Sequence, residues 1–206
     1  MTRRIAEFVS YVFHPLLLST VLLIVLFLFS PNALRPIDST NMLPITGLVF
    51  AITFIIPAIS IGALRITSSI TSLKLEDRKE RIMPFLFISA YYGLTVYMFA
   101  YRLVLGQTMI ILFGTVTAVV VLITIVTIFF KVSVHAAGVW GMLGSMIAIQ
   151  IKYPDGLLFW PIVLILLLAG VVNSSRLYLG VHSPAEVGVG SVLGFGICFT
   201  SIYLFS

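Results

Sequence analysis

The chain has 206 residues, 60% of them hydrophobic and only 9% charged, with a mean hydropathy of +1.18, whereas a soluble domain carries about 25% charged residues. That composition excludes a nucleic-acid-binding protein and a secreted disulfide scaffold; the one cysteine, Cys198, lies in the C-terminal apolar run and reads as a buried, inert thiol. The net charge of +5, from 12 Lys and Arg against 7 Asp and Glu, reports in a membrane protein on orientation and on anionic lipid.

Arg3 and Arg4 precede an apolar run over 8–29 with no small-x-small cleavage site before Ser30, so the segment reads as an uncleaved anchor. Within it His14 precedes Pro15 and has no partner nearby in sequence, so it reads as a packed, hydrogen-bonded histidine outside the site. Further runs of spanning length cover 43–64, 84–105, 109–130, 136–151, 157–172 and 184–205. The fold class expected is an all-α polytopic helical bundle of seven transmembrane helices. Six is the alternative, because the fifth and sixth runs reach only about 16 residues against the roughly 20 a bilayer requires. One transmembrane domain over 1–206 is expected, with a motif-bearing core over 74–206 and two additional N-terminal spans over 1–66. Glycines at 138, 141 and 144, then at 188, 190, 194 and 196, read as helix-packing surfaces.

Three polar clusters follow the second, fourth and sixth spans: Lys74 to Arg81, Lys131 to His135, and Ser175 to Glu186. Two spans separate each cluster from the next, so all three return to the same membrane face. Together they bring Lys74, Arg81 and Arg176 as cations, Ser133 as a hydroxyl, His135 and His182 as imidazoles, and Glu186 one helical turn beyond His182. Guanidinium forks match phosphate oxygens and lysine adds a point charge. Two imidazoles can divide the nucleophile and proton-transfer roles.

These residues resemble the signature of the type 2 phosphatidic acid phosphatases, a family that shares its core with bacterial acid phosphatases and vanadium haloperoxidases. That signature runs Lys-x6-Arg-Pro, Pro-Ser-Gly-His and Ser-Arg-x5-His-x3-Asp. Here Lys74-x6-Arg81 keeps the first spacing with its proline displaced to Pro84. Val132-Ser133-Val134-His135 keeps Ser and His of the second block, and Ser175-Arg176-x5-His182-x3-Glu186 fits the third with Glu for Asp. The resemblance implies that His182 attacks phosphorus to form a phosphohistidine, that Glu186 orients and charges that imidazole, and that His135 protonates the leaving oxygen. It also implies that Lys74, Arg81, Ser133 and Arg176 hold the phosphoryl oxygens, and that hydrolysis needs no metal or other cofactor.

Plainer readings stand beside this one. Ser183, Pro184 and Glu186 make a well-formed helix start of the capping-box type, and the alternating charges of Lys74 to Arg81 resemble a solvated loop. With seven spans, nine basic residues share the face of the clusters, and Arg35, Arg102 and Lys152 lie opposite. The expected location is a bacterial inner membrane, and the basic bias puts the site on its cytoplasmic face. Lacking a sizeable soluble domain, the protein is expected to take a lipid phosphate or a polyprenyl pyrophosphate laterally from the bilayer. A lipid phosphotransferase, or a non-catalytic lipid-phosphate binding or transport protein, is the alternative.

Overall fold

A computed structural model describes residues 2–72, 77–103, 105–154 and 157–206. In hydrocarbon every backbone N–H and C=O must find an internal partner, and the long apolar runs meet that demand as helices: α1 (Arg3–Val12), α2 (Pro15–Phe29), α3 (Met42–Ile66), α4 (Lys79–Arg102), α5 (Gln107–Phe129), α6 (Val134–Lys152), α7 (Phe159–Tyr178) and α8 (Pro184–Phe205). Among the described residues there is no strand. The protein is an all-α polytopic bundle in which α3 to α8 are each long and apolar enough to cross a membrane. Counted as one span, the bent pair α1–α2 makes a seventh.

The first apolar run is not one continuous helix. It breaks by 59° between α1 and α2, because Pro15 lacks the N–H that a helix interior requires and pushes the preceding residue out of the helical region. His14 accordingly sits at φ −64°, ψ 132°, with Pro15 at the first position of α2 and His14 Nδ1 accepting from the Leu16 N–H at 3.4 Å. The fifth and sixth spans are full-length rather than short, at 19 and 20 residues. Their backbone ladders continue through polar residues such as Lys152 and Arg176 at the bilayer edge, where hydropathy alone stops reading. Both α3 and α4 contain a π-helical stretch, at Ala51–Ile55 and Met98–Arg102.

The most extensive helix contact joins α6 to α8, and glycine makes it close. A Cβ at Gly190 would lie 2.5 Å from the Ser133 carbonyl oxygen, and one at Gly144 would lie 2.7 Å from that of Phe195. At Gly194 it would fall on the Ala137 carbonyl. Gly138 packs against Leu18 of α2, so the first glycine run is packing surface throughout, whereas Gly188 and Gly196 face open space and only part of the second run is. Around this pair α4 packs on α5, α5 on α8, α7 on α6, and α1 lies against α7. Large apolar side chains such as Leu164, Leu167, Val192 and Leu204 point outward, as a surface solvated by lipid tails requires.

Candidate functional site

The first turn of α8 fixes the nucleophile candidate. Ser183 caps the helix, its Oγ accepting from the Glu186 N–H at 3.3 Å, and Pro184 occupies the first helical position. Half of the capping box is therefore present. The Glu186 carboxylate, however, accepts from His182, with Nδ1 and Oε2 only 2.6 Å apart. A carboxylate only accepts, so Nδ1 carries the proton and Nε2 keeps its lone pair. Gly180, at φ +67°, turns the chain sharply after α7, a backbone conformation that suits glycine, and brings His182 back beside Arg176. Burial, and then the guanidinium groups of Arg81 and Arg176, depress the His182 pKa to about 4 against the opposing pull of Glu186. The ring is therefore neutral at physiological pH.

The other blocks close around it. Arg81, at the start of α4 and only 5% exposed, donates from Nη1 to the Val132 carbonyl at 3.2 Å. This ties the first block to the second. Ser133 donates its backbone N–H to the Glu186 carbonyl at 3.1 Å, tying the second block to the third. Its hydroxyl caps α6, accepting from the Ala136 N–H at 3.4 Å, and is fully buried. Ser133 thus stands behind the site rather than on its wall. Lys131 donates to the Val181 carbonyl at 3.0 Å, bracing the loop that carries His182. Lys74 lies outside the described residues.

Arg81, Val134, His135, Arg176 and His182 line the polar mouth of a cavity of about 180 Å³. Below them the wall turns apolar, with Leu16, Leu22, Phe85, Ile88, Val119 and Met142 among the lining residues, and it reaches Tyr92 and Ser145. From His135 to Ser145 along α6 is a descent of about 15 Å at the helical rise, roughly half a bilayer core. At the far end the hydroxyls of Ser19 and Tyr92 satisfy each other at 3.1 Å. The arrangement can hold an anionic head at the mouth and an apolar chain beneath it. Among the described residues no three His, Cys, Asp or Glu side chains are grouped to hold a metal ion.

Sequence reasoning left out two residues of the site, both from the α1–α2 corner. Ser10 accepts from Arg176 Nη1 through its hydroxyl at 3.1 Å and from His135 Nε2 through its carbonyl at 3.2 Å. His14 lines the cavity, its ring nearly perpendicular to that of His135 at 5.8 Å between centroids. The only signal available was an ionisable residue inside an apolar run; its partner lies 121 positions away. No family model, curated protein or solved structure matches the chain.

Proposed function

We propose that the protein is a lipid phosphatase of the type 2 phosphatidic acid phosphatase kind, cleaving a lipid phosphate or diphosphate through a phosphohistidine. The observation that carries this reading is the 2.6 Å His182–Glu186 contact placed beside two arginines at the mouth of a cavity whose body is apolar. The substrate phosphate sits among Arg81, Arg176 and the positive N-terminal ends of α6 and α8, while its chain descends between the helices; the resemblance adds Lys74 as a third cation.

In the first step the lone pair on His182 Nε2 forms the N–P bond, and the bond from phosphorus to the leaving oxygen breaks. His135, in its doubly protonated form, gives that oxygen a proton. Because His135 Nε2 keeps its hydrogen on the Ser10 carbonyl, Nδ1 is the atom that transfers the proton. Positive charge develops on the His182 ring, and Glu186 stabilises it. Water then attacks phosphorus, the N–P bond breaks, and His135 Nδ1 takes the water's proton, which restores both histidines and frees phosphate. An alcohol acceptor in place of water would make the same intermediate serve phosphotransfer. We place the protein in a bacterial inner membrane with the site at the cytoplasmic interface, where basic residues concentrate.

Purified protein in detergent, given a panel of lipid phosphates and diphosphates with chelator present, is expected to release phosphate, and His182→Ala is expected to abolish that release. A well-folded preparation that releases none from any lipid overturns the phosphatase and leaves the lipid-phosphate binding or transport protein.

A further inference from the structure

The α1–α2 corner brings a third imidazole to the mouth of the cavity, and the chemistry above gives it nothing to do. His14 Nδ1 is occupied as the acceptor of the Leu16 N–H, so in the neutral ring the proton resides on Nε2. Among the described residues no protein acceptor meets that Nε2–H, although His14 lines the cavity together with His135, Arg176 and His182. The ring is held rather than loose. Its backbone is fixed by Pro15, and its ring makes nearly perpendicular contacts with His135 at 5.8 Å and Phe54 at 6.4 Å between centroids. Phe54 is itself carried by the π-helical stretch of α3, an element that recurs at functional sites.

The position decides the role. His135 stands against His14, and Arg176, one of the guanidinium groups acting on His182, lies close enough to act on both of these rings as well. Leucines 16, 18 and 22 of α2 continue the cavity wall directly below His14. On the proposed mechanism His14 therefore stands beside the group that protonates the leaving oxygen, at the top of the apolar wall.

We propose that His14 forms a leaving-group subsite, its Nε2–H binding an oxygen of the leaving group beyond the scissile bond. The reading rests on the lipid-phosphate function of the same site. Two sources supply such an oxygen: the second phosphate of a lipid diphosphate, or an ester carbonyl of a glycerolipid phosphate. A prenyl monophosphate offers neither. A hydrogen bond to this oxygen acts on some substrates only, so its removal changes selectivity rather than turnover at large.

The test compares initial rates of phosphate release from farnesyl phosphate, farnesyl diphosphate and a short-chain phosphatidic acid by the parent, His14→Phe and His14→Asn. Phenylalanine keeps the ring packing and removes the donor. Asparagine keeps the helix cap and withdraws the side chain from the cavity, so a folding defect in one variant leaves the other informative. Both variants are expected to lower kcat/KM by about ten-fold or more on farnesyl diphosphate, on phosphatidic acid, or on both, with less than about a three-fold change on farnesyl phosphate. Which substrate suffers identifies the oxygen. Equal losses on all three, or no loss on any, overturn the subsite while leaving the phosphatase standing. A parent without His182-dependent release overturns the phosphatase itself, and that failure appears before any variant is compared.

Discussion

Glu186 acts on His182 through one short contact, and the sign of its effect can be worked out from the groups around the ring. Burial, Arg81 and Arg176 favour the neutral imidazole, whereas Glu186 favours the cation. Glu186→Gln is therefore expected to lower the His182 pKa below about 4 and to leave the ring neutral at pH 7, as in the parent. In the proposed mechanism the loss then falls on catalysis, because positive charge would grow on the ring as the N–P bond formed. We expect kcat to drop on the order of 10³-fold, with the folded fraction unchanged by size-exclusion chromatography. NMR of histidine-labelled protein would show the His182 titration moving to lower pH. An unchanged kcat would remove the carboxylate from the mechanism. The same depression links to stability: it is fully present above the ordinary histidine value near 6.5 and declines as the pH falls toward about 4. The extra methylene of glutamate, relative to the aspartate of the signature that the sequence resembles, is accommodated because His182 lies in the loop before α8, with Glu186 on its first turn.

At the scale of elements, the site is the place where α6 and α8 begin side by side. Ser133 and His135 open α6, Glu186 opens α8, and the Ser133 N–H to Glu186 carbonyl bond fixes their relative height. That register depends on the glycine contacts one and two turns deeper, where backbone meets backbone. Gly194→Val would set its side chain against the Ala137 carbonyl, and a carbonyl within a helix cannot turn aside as a flexible side chain can. The helices must part, at about 1–3 kcal/mol. The expected result is a lower thermal-aggregation temperature in detergent together with lost phosphate release. Gly196→Val, where nothing lies within 4 Å, should behave like the parent. Equal tolerance of both substitutions would show that the close approach is not required. The α1–α2 corner is the second such element. The proline break turns a hydrophobic anchor into a support that presents Ser10 and His14 to residues more than a hundred positions later.

Over the whole molecule, the parity of the crossings sets which groups share a face. From His14, α2 crosses away from the site, α3 returns, and each later pair of helices repeats the excursion, so that Arg81, His135, Arg176 and His182 gather at one end and Ser206 lies at the other. With the basic face inward, a reporter fused after Ser206 is expected on the side opposite the cytoplasm: alkaline phosphatase active, green fluorescent protein dark. A cytoplasmic C-terminus would overturn this orientation and the count of seven crossings with it.

The amino-acid sequence by itself determined the solvent, the helical class, nearly every span and the return of its polar clusters to one end of the bundle, because these follow from local hydropathy and from the number of crossings. It also determined the spacing of His182 and Glu186, since residues four apart at a helix start meet through local geometry alone. Tertiary structure decided the rest. Whether Glu186 caps its helix or engages His182 depended on which partner lay within reach, and the helix cap is supplied instead by Ser183. That Ser133 stands behind the site, that Ser10 holds both Arg176 and His135, and that His14 enters the cavity are matters of contact between segments far apart in the chain. No periodicity along one segment encodes such contacts. They arise only when the proline-broken corner, the glycine-set approach of α6 to α8 and the loop at Gly180 are packed together.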